Sequence, residues 1–141
     1  MNIANIPLHP IIVHFPIALL IASFIFNVLS LIFRRDSWRK TAWHIYIFGA
    51  LLSVAAVLSG QNAEEIARVH HPLLETHEMF ALIVMWTSLV SLLVLWFLQK
   101  KFGKIYPYIF CAVTLALALL VSTTGFYGGK MVYEYGVGVE K

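Results

Sequence analysis

Long runs of apolar residues, separated by short polar segments, dominate the chain. Four runs reach the length of a membrane span, at about residues 10–33, 43–59, 74–98 and 106–122. A transmembrane helix needs roughly 17 to 25 mostly apolar residues, and a helix satisfies all of its backbone hydrogen bonds within the lipid. The pattern therefore predicts an all-α, polytopic membrane protein, in which one domain over residues 1–141 forms a four-transmembrane-helix bundle.

The polar segments predict the structure outside these spans. The longest one, between the second and third runs, has helical propensity at about residues 62–69, and we expect a short surface helix there. Residues 123–141 are rich in glycine, which indicates an irregular tail. Small residues recur along one face of the second run and predict close packing of that face against other helices. They are Gly49, Ser53, Ala56 and Gly60.

Composition and charge agree with a membrane protein and give it an orientation. The chain is 60% hydrophobic and 12% charged, with a net charge of +3 and a mean hydropathy of +0.82. Basic residues concentrate in the first and third loops, which by the positive-inside rule face the cytoplasm. Both termini are then outside the inner membrane of a bacterium, and the basic loops are topology signals, not a nucleic-acid surface. The basic residues of the two loops are Arg34, Arg35, Arg39, Lys40, Lys100, Lys101 and Lys104.

Two histidines fall inside the predicted spans, near their outer ends. If the first helix begins near Pro10 and the third near Pro72, His14 and His77 lie roughly 6 and 7 to 8 Å along their helices. Ionisable side chains within a membrane are disfavoured and usually functional. Two imidazoles at matched depth are what a six-coordinate b-type haem requires. This pattern predicts a haem ligated by His14 and His77, although a buried or interfacial structural role is the alternative for each.

Glycines at the outer ends of the second and fourth helices provide room for such a macrocycle, and turns are the alternative use of those in the tail. They are Gly60, Gly125, Gly128 and Gly129. The other histidines are weaker candidates. His9, His70 and His71 are expected in solvated loops, and His44 is expected at the cytoplasmic interface, where no second histidine lies at its level.

The sequence also resembles a known family through four motifs. They are His9-Pro10-x-x-x-His14-Phe15-Pro16-Ile17-Ala18-Leu19, Ser59-Gly60, His77, and Gly125-x-x-Gly128-Gly129-x-x-Val132-Tyr133-x-x-Gly136-Val137-Gly138. Together they resemble the small bacterial membrane family catalogued as domain of unknown function 2231. Similar segments occur fused to, or encoded beside, cytochrome c-like proteins, which implies an electron-transfer setting. The resemblance implies that His14 and His77 ligate haem and that the closing glycine motif flanks them.

The leading hypothesis is therefore a membrane-bound b-type cytochrome or redox subunit with one haem near the periplasmic side. Its expected partners are the lipid bilayer, a quinol, a periplasmic cytochrome c, a larger respiratory complex or a second copy of the chain, and no nucleic acid. Electron transfer is a better expectation than independent enzyme activity, because the sequence offers no nucleophile with its base, no phosphate loop and no intramembrane carboxylate pair.

Two alternatives remain open at the level of the sequence. The first is a metal site without porphyrin, in which His9, His14, His70, His71 and His77 with Glu78 bind zinc, copper or iron. The second is an accessory subunit of a respiratory complex that carries no cofactor and docks through its aromatic and glycine-rich surface.

Overall fold

The computed structural model describes residues 8–67 and 72–136. These residues form four α-helices: α1 (Leu8–Phe33), α2 (Asp36–Ala67), α3 (Pro72–Lys101) and α4 (Tyr106–Tyr135). All four are long and apolar enough to cross a membrane, and the described residues contain no β-strand. The predicted all-α fold with four spanning helices is confirmed.

Short connections make successive helices antiparallel. Arg34, which adopts a left-handed conformation (φ 50°), and Arg35 are all that separate α1 from α2. The start of α1, the end of α2, the start of α3 and the end of α4 therefore lie at the same end of the bundle. We call it the histidine end, because it carries His9, His14 and His77. The opposite end, which we call the basic end, carries Arg34, Arg35, Arg39, Lys40, Lys100, Lys101 and Lys104.

Two helices run further toward the histidine end than the apolar runs predict. Instead of stopping near residue 59 and resuming as a separate surface helix at 62–69, α2 continues without a break to Ala67, while 68 and 69 lie outside the described residues. Where an irregular tail was expected from residue 123, α4 continues to Tyr135. Gly136 ends it in a left-handed conformation (φ 64°), with its N–H donating to carbonyls of the last turn. Helical propensity and the buried side chains of Thr124 and Met131 outweigh the glycines there.

Each helix packs against its neighbours in the chain, and α4 also packs against α1. The four helices therefore form a closed ring, with α1 and α3 on one diagonal and α2 and α4 on the other. The predicted small-residue face of α2 packs inward: Gly49 contacts α1, where an added Cβ would meet Leu20 at 3.1 Å. Among these four contacts, the one between α1 and α2 is the most extensive and the one between α2 and α3 the least.

Polar side chains connect the helices inside the apolar core. Ser23 Oγ on α1 donates to the carbonyl oxygen of Ala42 on α2 (2.9 Å), and Asn27 Nδ2 approaches Thr114 Oγ1 on α4 at 3.5 Å. Tyr46 on α2 is fully buried, and its hydroxyl donates to the carbonyl oxygen of Ser88 on α3 at 2.9 Å. Because lipid removes most of the hydrophobic drive for helix association, such bonds and close packing hold the bundle together.

The Tyr46 hydroxyl gives a first test of this packing. We expect Tyr46→Phe to lower the free energy of unfolding in detergent micelles by about 0.5–1.5 kcal/mol, because the hydroxyl's hydrogen bonds to Ser88 and Ser91 of α3 are lost while the ring keeps its shape. Tyr108→Phe is the matched control, since Tyr108 is 65% exposed on the outer surface of α4. Equal losses in the two variants would show that the Tyr46 bond does not hold α2 to α3.

Candidate histidine site

His9 lies in the first turn of α1, is half-buried, and points toward α2. Its Nδ1 is 2.9 Å from Ser59 Oγ. The Ser59 hydroxyl donates its single proton to the carbonyl oxygen of Ala56 at 2.8 Å, so it accepts from the imidazole. His9 therefore carries its proton on Nδ1, which in the neutral ring leaves a lone pair on Nε2.

His77 lies in the second turn of α3, is half-buried, and points toward α4. Its Nδ1 is 3.0 Å from the backbone carbonyl oxygen of Thr124. A carbonyl oxygen can only accept, so His77 also carries its proton on Nδ1 and leaves Nε2 with a lone pair when neutral. This is the arrangement of a metal-ligating histidine, whose second ring nitrogen donates to a carbonyl or other acceptor that fixes its orientation.

The two rings meet across the diagonal of the bundle. Their centroids are 6.4 Å apart and their planes are nearly perpendicular, at 85°. Two imidazoles bound on opposite sides of one metal ion, through bonds of about 2.0 Å, have centroids roughly 6 Å apart. The centroid separation of His9 and His77 is close to that value.

Two of the four predicted glycines contact these rings. A Cβ on Gly60 of α2 would lie 3.0 Å from His9 Cε1, and one on Gly128 of α4 would lie 3.1 Å from His77 Cε1. Each histidine thus fits against a helix backbone only because no side chain intervenes. A Cβ on Gly125 would instead lie 3.8 Å from Ile17 Cδ1 of α1, and one on Gly129 would meet nothing within 4 Å.

His14, the predicted partner of His77, lies elsewhere on α1. Its side chain is exposed and its Nδ1 bonds to the carbonyl oxygen of Pro10 in the same helix. His9 and His14 are five residues apart, which turns them about 140° from each other around the helix axis. Both cannot face the bundle interior, and the packing of α1 on Gly60 turns His9 inward.

The remaining histidines are not part of this arrangement. His44 lies at the basic end, is exposed, and bonds to the carbonyl oxygen of Lys40 in its own helix at 2.7 Å. His70 and His71 lie outside the described residues. Within residues 8–67 and 72–136, no group of three or more His, Cys, Asp or Glu side chains is placed to hold a metal ion.

Two partners of the histidines were not singled out as ligand-orienting groups from the sequence. Ser59 stands beside Gly60, and a hydroxyl in that position could have been noticed as an acceptor for a facing histidine. The partner of His77 is a backbone carbonyl, that of Thr124, and no side-chain pattern reveals it. Both depend on how the helices are rotated against each other.

Because His9 packs tightly on Gly60, we expect alanine substitutions at two glycines to change the free energy of unfolding in opposite directions. Gly129→Ala is expected to raise the free energy of unfolding by up to about 1 kcal/mol, the usual gain from alanine inside a helix. Gly60→Ala is expected to lower the free energy of unfolding despite the better helix propensity of alanine, because the new methyl group would clash with the His9 ring. Unfolding in micelles measures both variants. Equal stabilisation by the two alanines would contradict the contact between Gly60 and His9.

Comparison with known proteins identifies the family of this chain but no individual relative. The family model described as "Predicted membrane protein (DUF2231)" matches residues 5–141. No curated protein and no solved structure matches the chain. Because the matched region covers nearly the whole chain, this protein belongs to the DUF2231 family of predicted membrane proteins.

Proposed function

We propose that this protein is a membrane-bound b-type cytochrome or redox subunit that holds one haem between His9 and His77. The observation that carries the proposal is the meeting of these two half-buried rings, each with its Nδ1–H committed to a fixed acceptor. The proposal keeps the bis-histidine haem expected from the sequence. It replaces His14 with His9 as the ligand on α1.

A haem suits a two-histidine site better than a bare metal ion does. Structural zinc is almost always held by four protein ligands and catalytic zinc by three, whereas a porphyrin supplies four nitrogens and needs only two axial imidazoles. His9 and His77 would be these two ligands. When bound, haem would supply reversible one-electron chemistry, with its potential tuned by the axial ligands, their hydrogen bonds and burial.

The protein's own residues would orient these ligands. Ser59 and the Thr124 carbonyl hold the two Nδ1–H groups, which fixes the ring tautomers and raises the basicity of both Nε2 atoms. Gly60 and Gly128 keep side chains away from the rings. Because the two histidines come from α1 and α3 and the four supporting groups from α2 and α4, the bundle as a whole sets the geometry of the two rings.

The charges support an orientation in which the histidine end faces outward. Seven basic residues mark the opposite end, and the positive-inside rule assigns such an end to the cytoplasm. The protein would then lie in the bacterial inner membrane with both termini outside. One haem near the outer face cannot by itself carry an electron across the bilayer. We therefore infer exchange with a quinol, a periplasmic cytochrome c or a larger respiratory complex at that face.

Histidine substitutions separate His9 from His14 as the haem ligand. Protein purified after expression with ample haem is expected to show the Soret band of a low-spin, bis-histidine haem. His9→Ala and His77→Ala should each abolish that spectrum, because one axial ligand is lost. His14→Ala, an equal change five residues away on the exposed face of α1, should leave it intact.

Three outcomes of that experiment would contradict the proposal. A colourless protein that contains metal would favour a non-haem site, and a colourless, metal-free one would favour an accessory subunit without a cofactor. Loss of the spectrum in His14→Ala but not in His9→Ala would restore the ligand pair first expected from the sequence.

The orientation has a test of its own. In a Cys111→Ser background, Tyr133→Cys at the histidine end and Lys104→Cys at the basic end each provide one exposed thiol. A membrane-impermeant maleimide added to intact spheroplasts is expected to label the first and not the second, whereas lysed cells should label both. The reverse pattern would place the histidine end in the cytoplasm.

A further inference from the structure

Residues 100–105, which connect α3 to α4 and which we call the basic loop, combine exposed cations with exposed apolar side chains. The exposed cations are Lys100, Lys101 and Lys104. Among them, Phe102 is 39% exposed and Ile105 is 59% exposed. A cytoplasmic topology signal requires positive charges alone. The exposed apolar side chains therefore call for a further explanation.

No carboxylate balances the charges of the basic loop. The sequence contains no Asp or Glu at positions 79–133, and the three lysines form no ion pair within the described residues. Lys100 Nζ instead lies 4.6 Å from the ring centre of Trp96, and Lys101 Nζ lies 5.6 Å from that of Phe102. An aromatic face attracts a cation without neutralising its charge. Each ammonium group thus keeps donors for an anion from outside the chain.

Backbone hydrogen bonds hold the basic loop in a tight turn. The N–H of Phe102 donates to the carbonyl oxygen of Leu98 at 2.9 Å. The carbonyl oxygen of Phe102 accepts from the N–H of Ile105 at 2.9 Å and from that of Tyr106 at 2.7 Å. Tyr106 is itself part of the buried core. A ligand of this loop would therefore pay little for ordering the backbone.

The position of the basic loop limits what the anion can be. Trp96, which is 45% exposed, lies about one turn before the loop on a spanning helix, where aromatic side chains mark the level of the lipid head groups. At this depth apolar side chains enter the upper acyl region, while lysines extend to the phosphates. A choline head group adds a cation that the lysines repel, whereas an anionic head group does not.

We propose that the basic loop binds an anionic phospholipid. The phosphate oxygens lie on Lys100, Lys101 and Lys104, and the upper parts of the acyl chains lie against Phe102 and Ile105. The lipid fixes the depth of the basic end in the bilayer. Its binding depends neither on the haem nor on the histidine pair.

Photocrosslinking tests this site directly. The full chain is placed in phosphatidylcholine nanodiscs that contain a small fraction of phosphatidylglycerol with a diazirine near the top of one acyl chain, and mass spectrometry locates the adducts. We expect adducts on residues 96–108, at least about fivefold more abundant than with the same diazirine on phosphatidylcholine, because one lysine at an anionic surface contributes about that factor. Equal adducts from the two head groups, or anionic adducts spread evenly over both ends of the bundle, would overturn the proposal.

Matched variants test the role of the lysines. Lys100→Gln, Lys101→Gln and Lys104→Gln together should lower the ratio of anionic to choline adducts to about one, whereas arginine at the same three positions keeps the charge and should keep the ratio. Lys130→Gln, which removes a cation at the histidine end, should also leave it unchanged. A ratio that survives in the glutamine variant would overturn the role of the lysines.

Two further conditions use the unmodified chain. NaCl at about 1 M should lower the ratio toward one, because salt screens exposed charges. A ratio that is unaffected by salt would contradict an electrostatic site. At constant ionic strength, replacing chloride with inorganic phosphate should leave the adducts unchanged, because phosphate has no acyl chains to contact Phe102 and Ile105. Loss of adducts in phosphate would assign the lysines to a soluble anion and overturn the lipid site.

Discussion

The contact between His9 and His77 joins all four helices at one end of the bundle. His9 connects α1 to Ser59 of α2, His77 connects α3 to the Thr124 carbonyl of α4, and the two rings meet on the diagonal between them. The position and tautomer of each ring thus depend on the helix packed beside it. In lipid, where no water is available to polar groups, an arrangement in which each Nδ1–H has an acceptor is preferred over alternatives that leave this donor unpaired.

Contacts in the middle of the bundle hold the helices that carry His9 and His77 in place. Hydrogen bonds from Ser23, Asn27 and Tyr46 fix the rotation of neighbouring helices in the core, and Gly49 lets α1 and α2 approach closely. These contacts determine which face of α1 turns inward at the histidine end. The two glycines beside the rings then complete a site whose shape is set by backbones, which move less than side chains.

The sequence predicted the helices well and the site only in part. Uninterrupted apolar runs are a strong signal for spanning helices, so their number and approximate positions followed directly. The extensions of α2 to Ala67 and of α4 to Tyr135 could not be predicted in this way, because polar and glycine-rich turns carry no hydropathy signal. Depth and residue type singled out His77, Gly60 and Gly128, and the structure places Gly128 against His77 and Gly60 against His9. His9 was assigned to a loop because the helix was expected to begin at Pro10, whereas it begins at Leu8. Depth along a helix can be counted from the sequence, but rotation about its axis is decided by packing.

The proposed function requires that His9 and His77 would together hold one haem iron. Electron paramagnetic resonance of the oxidised, haem-loaded protein tests it most directly, because the signal of ferric haem depends on both axial ligands. The claim predicts a low-spin signal of high anisotropy, as expected for two imidazoles whose planes are nearly perpendicular, here 85° apart. A high-spin signal alone, or no haem iron at all, would contradict it.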